Sequence, residues 1–412
     1  MHAELFNRST ALARYRAGLR FEAREHYLCR LRSEGYSRST LKRIAWVLLI
    51  VAAAAHRQDG SVSAVQLETL ISRRIRLSSG RRPSEHTASM IRHFGADWLR
   101  SIGALAVEPE PAVRFARELD AFTEYMRTER GLSPVTIATC NERMRWFIAT
   151  LPARARSLAD VSIDHIDAYL EGAARAGWSR SSLHALGGSL RSFFRYASQQ
   201  GWCGSRIAVG IDLPRLYALA DIPKAPAIDD VGRLLDTTAT GNDPVTIRDH
   251  AILSLLIHYG LRRGEVERLA LDDIDWSAEV LHVTRPKVRR AQSYPLAVPV
   301  GEAILRYLRE ARPRCLNRAV FLTIKAPHRR LSGASISAMV KMRLAKQGVM
   351  LDRIGAHCLR HACAGQLMEA GFTLKQIADH LGHRSMSSTR IYTKIDMQGL
   401  RQVAELDLGA LL

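Results

Sequence analysis

The chain has 412 residues, 47% hydrophobic and 24% charged, with 60 Lys and Arg against 40 Asp and Glu for a formal net charge of +20. That length exceeds one ordinary domain and allows two or three, each with a core of its own. The apolar share makes the chain globular, and the basic excess favours a polyanionic partner, nucleic acid ahead of an anionic membrane.

In chain order, the opening "MHAELFNRSTALARYR" has no apolar core and no small-residue cleavage site, so no secretory signal is read there. The longest apolar run, "AWVLLIVAAAA" (45–55), is shorter than the roughly 20 residues a bilayer span needs and reads as a buried helix. Six cysteines (Cys29, Cys140, Cys203, Cys315, Cys358, Cys363) lie scattered without CxxC spacing. They read as reduced thiols of a cytoplasmic protein, with no membrane association expected.

One pattern recurs three times, as "GYSRSTL" (35–41), "GLSPVTI" (131–137) and "GWSRSSL" (177–183). Gly ends a turn, Ser caps the free amides of a new helix, and apolar residues follow at helical spacing. Three copies suggest related helical units. Between 204 and 226 the stretch "GSRIAVGIDLPRLYALADIPKAP" has three prolines and little periodicity, which reads as a linker. A weaker boundary lies near "AVEPEPAV" (106–113). Three parts are therefore expected: a helical N-terminal accessory domain at 1–105, a helical middle domain at 109–205 and a C-terminal domain at 225–412. In the last, "DHAILSLLIHYGL" predicts a buried helix, and "EVLHVTRPKVRRAQSYPLAVPV" predicts strands around a basic turn. The fold class is mainly α with a small β-sheet (α+β).

Four stretches of the C-terminal part carry candidate chemistry: "YGLRRGEVERL" (259–269), "VTRPKVRRAQSYPLAVPV" (283–300), "HCLRH" (357–361) and "LGHRSMSSTRIYTK" (381–394). Arginine suits planar, bidentate recognition of phosphate. Two arginines, a lysine, two histidines and a tyrosine would make a metal-free phosphoryl-transfer site. The tyrosine would be the nucleophile, the arginines would stabilise charge, and lysine or histidine would move protons. A zinc reading of His357 and His361, spaced i, i+4, lacks the Glu of H-E-x-x-H and sets Arg360 where it would repel a cation. Neither metal nor cofactor is expected.

These stretches, in this order, resemble the tyrosine recombinase (phage integrase) family. "GLRRGE" is similar to G-L-R-x-x-E, which implies a catalytic Arg262 and a supporting Glu265. "HCLRH" is similar to H-x-L-R-H, implying His357 and Arg360. "LGHRSMSSTRIYTK" is similar to L-G-H-x-x-x-x-[ST]-T-x-x-Y, implying His383 and, nine residues on, the nucleophile Tyr392. The family's lysine lies on a hairpin, which points to Lys287, although "RPKVRR" departs from the commoner G-K-G and has Arg285, Arg289 and Arg290 beside it. Cys358 stands where Asp is frequent and Tyr259 where Thr is frequent.

"GLSPVTIATCNERMRWF" and "GWSRSSLHALGGSLRSFFRYA" resemble helices of the family's core-binding, SAM-like domain; residues 1–105 join the resemblance only through "GYSRSTL". The resemblance implies a site-specific recombinase acting on double-stranded DNA through a 3′-phosphotyrosine and a Holliday junction. It implies self-assembly into a tetramer on two DNA sites, with room for other recombinases or accessory proteins. The long N-terminal segment points to integration, excision or transposition of a mobile element. A type IB topoisomerase-like relaxing enzyme and a catalytically silent DNA-binding accessory protein are the alternatives.

Overall fold

A computed structural model describes residues 5, 9–56, 61–73, 85–106, 114–216, 225–285, 290–350 and 354–382. The chain divides into two units, one of residues 107–220 and one combining 1–106 with 221–412.

The N-terminal stretch is helical: α1 (Ser9–Arg16), α2 (Phe21–Ser33), α3 (Arg38–His56), α4 (Ala64–Arg73), then α5 (Glu85–Met90), which a π-turn over Ile91–Gly95 joins to α6 (Ala96–Ser101). The first Gly-apolar-Ser copy starts α3: Gly35 has φ +89° and the Thr40 amide donates to Ser37 Oγ at 3.3 Å. By length and composition α3 could cross a membrane. It is longer than its apolar run because the polar turn at Arg38–Arg43 is helical too. Its Leu41, Ile44, Val47, Leu48 and Val51 are buried with Leu28, Trp98 and Leu99 in a core of their own. A buried guanidinium, Arg24, closes the α1–α2 turn by donating to the carbonyls of Tyr15, Gly18 and Leu19 at 2.7–2.9 Å.

The unit of residues 107–220 is a second helical bundle: α7 (Ala116–Thr128), α8 (Pro134–Thr150), α9 (Ile163–Arg175), α10 (Arg180–Gln199) and the short α11 (Arg206–Gly210). The other two copies of the pattern start α8 and α10. Ser133 accepts from the Thr136 amide at 3.3 Å and Ser179 from the Ser182 amide at 3.2 Å. Edge-to-face phenylalanines fill the core, Phe122 on Phe193 at 5.2 Å and Phe147 on Phe194 at 5.8 Å. Ala208 and Ile211 are buried here as well, so part of the stretch read as a linker, 204–226, packs as structure.

From residue 225, α12 (Ile228–Ala239) precedes α13 (Pro244–His258), the predicted buried helix. Residues 251–257 of α13 are buried on every face, the mark of a central core helix. Asp249, fully buried on α13, is held by Arg248 at 2.8 Å and Arg343 at 2.7 Å. After α14 (Arg263–Arg268), strands β1 (Ile274–Asp275), β2 (Val280–Arg285) and β3 (Arg290–Pro295) form an antiparallel sheet in the order β1-β2-β3. The predicted hairpin is β2–β3, in register from Val280 opposite Pro295 to Arg285 opposite Arg290. The two-residue β1 was too short to carry a sequence signal.

Helices α15 (Val298–Arg306), α16 (Gly333–Lys346), α17 (Ala356–Glu369) and α18 (Leu374–Leu381) complete the described part. The start of α18 repeats the capping device at "GFTLKQI": Gly371 has φ +83° and the Gln376 amide donates to Thr373 Oγ1 at 3.3 Å. Its Gln at the position of the second Ser or Thr hid it from the pattern. The fold is mainly helical with one small antiparallel sheet.

Candidate active site

The site begins where α13 stops. Gly260, at φ +58°, turns the chain so that Arg262 becomes the residue before α14. The Arg262 amide donates to Glu265 Oε2 at 2.8 Å, and its Nη1 donates to Oε1 at 2.8 Å. Glu265 therefore acts as an N-terminal cap and as a bracket for the guanidinium. Its side chain is 3% exposed while that of Arg262 is 41% exposed, so the carboxylate is sunk and the cation faces outward.

Arg360, on α17, is only 1% exposed. It donates from Nη1 to the Gly260 carbonyl and from Nη2 to the Leu381 carbonyl, each at 2.6 Å. Arg262 Nη2 reaches the next carbonyl, Gly382, at 3.3 Å. Two arginines from motifs about a hundred residues apart thus grip successive peptide units at the end of α18, and His383 follows directly. His383 and Tyr392 lie outside the described residues, and so do Lys287 and the tail 399–412.

His357 lies one helical turn before Arg360 and stands edge-to-face with His361, ring centroids 4.4 Å apart. Desolvation lowers the His357 pKa first, and the positive charges of Arg360 and Arg262 lower it further. Its side chain nevertheless keeps an exposed face. For His361, burial comes first and then His357 and Arg360, bringing its pKa down to about 4. Both imidazoles are neutral at pH 7, able to accept a proton or to donate from one nitrogen only.

A histidine depressed in the folded state contributes its stability in full above the unfolded pKa near 6.5 and loses it as pH falls towards about 4. His361, whose depression is the larger and is shared with its neighbour His357, carries part of that loss. Urea unfolding should show His361→Gln losing less stability between pH 7 and pH 4.5 than the parent chain. An identical loss in both proteins would remove His361 from this role.

Sequence reasoning missed one member of the cluster. Arg285, at the end of β2, is 4% exposed. Its Nη2 donates to the Tyr294 hydroxyl at 2.6 Å, and its Nε lies 3.3 Å from Glu265 Oε1. Tyr294 in turn donates to the His380 carbonyl at 2.5 Å. A signal was present: in "VLHVTR" the alternation puts Arg285 on the same inward face as Leu281 and Val283. Tyr259, which stands where Thr is frequent, has a structural role. Its hydroxyl donates to the Pro295 carbonyl at 2.7 Å and accepts from the Ala297 amide at 2.8 Å, tying the end of α13 to the hairpin.

Cys363 packs on Gly260, and burial raises its thiol pKa to about 11, so it is a neutral packing group. Among the described residues no group of three His, Cys, Asp or Glu is placed to hold a metal ion.

A buried carboxylate, an outward arginine and a second arginine at one helix end, with a neutral histidine whose pKa both arginines lower, form an arrangement that can bind and polarise a phosphodiester. Comparison with known proteins agrees. Residues 227–399 match the model of the phage integrase family, and residues 119–201 match that of the phage integrase N-terminal SAM-like domain. The tyrosine recombinase XerC of Alcanivorax borkumensis is 31% identical over 293 residues, 69% of this chain and 91% of that protein. A protein of Sinorhizobium fredii named as a candidate integrase/recombinase, y4rA, is 35% identical over 330 residues, 78% of this chain and 79% of its own.

Among solved structures, a lambda integrase dimer bound to a COC′ core site has a TM-score of 0.54 at 18% identity, over 67% of this chain and 94% of that one. The XerH recombinase bound to a palindromic difH substrate also has a TM-score of 0.54, at 16% identity over 88% and 96%. At that identity these two establish a shared fold. The relatives and both family models, found in the order in which the motifs run, carry the conclusion: the chain belongs to the phage integrase family, the tyrosine recombinases.

Proposed function

We propose that this chain is a site-specific DNA recombinase that cleaves and rejoins double-stranded DNA through a covalent tyrosyl intermediate. The observation that carries the reading is the joint grip of Arg262 and Arg360 on the peptide units at 381–382, which brings both arginine motifs to the threshold of the stretch bearing His383 and Tyr392. The Tyr392 phenolic oxygen attacks the scissile phosphorus and gives up its proton to a base. The P–O5′ bond breaks, the 5′-oxygen takes a proton, and a 3′-phosphotyrosine remains. Arg262 and Arg360 stabilise charge on the non-bridging oxygens, with His357 and His383 as further donors. Lys287 is assigned the proton for the leaving 5′-oxygen. Glu265 holds Arg262 in place.

The phosphodiester energy is kept in the protein–DNA bond, so a 5′-hydroxyl from a partner duplex can reverse the step without ATP. Two such rounds pass through a Holliday junction and call for four protomers; lambda integrase, which shares this fold, has been solved as a tetramer on such a junction. Integration, excision or transposition of a mobile element is the role proposed. We assign core-site binding to 109–205 and catalysis to 225–412.

Trapping on a nicked suicide substrate tests the chemistry. A covalent adduct should form in EDTA as fast as with added magnesium or zinc, because no metal acts in these steps. An adduct that appears only with a metal ion would overturn the assignment. Two intact duplexes then separate strand exchange from relaxation, since a topoisomerase-like enzyme would reseal only the strand it cut.

Residues 1–105 are read as an accessory helical unit that adds DNA or protomer contacts outside the core site. Deleting them should leave cleavage of a short core site intact, impair recombination of full sites, and flatten the salt dependence of binding as fewer phosphates are neutralised. An unchanged footprint with unchanged recombination would refute this.

A further inference from the structure

We infer that Arg285 is a positioning residue that sets the catalytic geometry of Arg262 by holding both of the groups to which Arg262 is anchored. Those groups are the Glu265 carboxylate and the Gly382 peptide unit. Arg285 meets each of them. Its Nε is 3.3 Å from Glu265 Oε1, the same oxygen that Arg262 Nη1 bonds at 2.8 Å. Its guanidinium also lies so close over Gly382 that a Cβ built there would coincide with it. Gly382 has φ +62°, the left-handed region that glycine adopts without steric cost. The third tie, from Nη2 to the Tyr294 hydroxyl at 2.6 Å, extends through that hydroxyl to the His380 carbonyl. One buried cation therefore joins the end of β2, the start of α14 and the last turn of α18.

The electrostatics give this arrangement a consequence. Glu265 is almost fully buried, and its charge is divided between two guanidiniums. With Arg285 gone, the carboxylate would turn wholly to Arg262, as a buried ion must be compensated by whatever partner remains. Arg262 would be drawn inward as a neutralised pair, and the cluster would lose one positive charge where a phosphate is to be held. Arg285 keeps the Arg262 cation outward and unspent. It touches no substrate in this scheme, so its effect passes through Arg262.

The inference rests on the reading of Arg262 as a stabiliser of phosphate charge, and the test separates the two. Single-turnover cleavage is measured on suicide substrates with either a phosphodiester or a methylphosphonate at the scissile position. The methylphosphonate still offers a P–O5′ bond to break but has lost the negative charge that Arg262 would meet. On the phosphodiester, Arg285→Met should cleave about 10- to 100-fold more slowly, the scale for removing the outer partner of a functional group, and Arg285→Lys should recover part of the loss. Core-site affinity should stay within about threefold, since the lost interaction belongs to the transition state.

Gly382→Ala should reproduce the defect with every charged group retained, because its methyl displaces the guanidinium. It also stands in if Arg285→Met does not fold, which thermal unfolding reports. On the methylphosphonate the deficits of Arg262→Ala and Arg285→Met should shrink together. If the Arg262→Ala deficit shrinks while that of Arg285→Met stays whole, Arg285 is merely a packing residue and the inference is overturned. If Arg262→Ala keeps its full deficit on the neutral substrate, the reading of Arg262 fails and takes the inference with it.

Discussion

Tyr392→Phe is expected to keep core-site binding and to abolish the covalent protein–DNA adduct. Only the phenolic oxygen is removed and the ring is retained, so the variant separates nucleophilic attack from recognition. On a nicked suicide substrate the parent chain should accumulate a denaturation-resistant adduct, because the short fragment diffuses away and religation is blocked. The Phe variant should give none above background, while its shift of the same duplex in a native gel is unchanged. An adduct in the Phe variant would mean that another nucleophile does the work. The two thiols of α17 beside the site give no ready substitute: Cys358 and Cys363 are buried, and burial raises the pKa of each.

The second large effect is expected at the two arginines. Arg262→Ala and Arg360→Ala should each slow cleavage by at least about 10²-fold, the scale for removing a preorganised charge stabiliser, with much smaller losses in DNA affinity. Their stabilities should differ. Arg262 is 41% exposed on its side chain, and Glu265 keeps Arg285 as a partner when it is gone, so unfolding should change little. Arg360 is 1% exposed and bonds the carbonyls of Gly260 and Leu381, so its removal leaves buried acceptors unpaired around a cavity. A loss of about 2–4 kcal/mol is expected there. Single-turnover cleavage, binding titration and urea unfolding on the same preparations decide the matter. Cleavage and affinity falling in proportion would make these arginines ordinary phosphate contacts.

Much of this was legible in the sequence because its causes are local. A Gly that can take positive φ, followed by a Ser whose hydroxyl reaches an amide three residues on, marks a helix start within one turn. All three stretches chosen on that basis begin helices, at Arg38, Pro134 and Arg180. The run "AILSLLI" had to be buried whatever surrounded it, and "EVLHV" followed by "QSYPL" had to alternate about a turn. The pairing of Arg262 with Glu265 is of the same kind, since three residues separate them at a helix start. The family motifs are local too, and the identities of their residues pointed to the family before any fold was known.

What the tertiary structure decided is which groups meet, and the reason is the nature of the partners. Arg360 reaches Gly260, a hundred residues away, and Arg262 reaches Gly382, 120 residues away, and in each case the acceptor is a main-chain carbonyl. Every residue has a carbonyl, so no pattern of side chains announces such a bond. Only the turn after α13, at Gly260, and the end of α18 bring the right ones within reach. Arg285 illustrates the same limit from the other side. By sequence it is one more arginine in a basic turn, where charge is usually solvated. The alternation of β2 faces it inward, and packing beside Glu265 and Gly382 turns that common surface cation into a buried one.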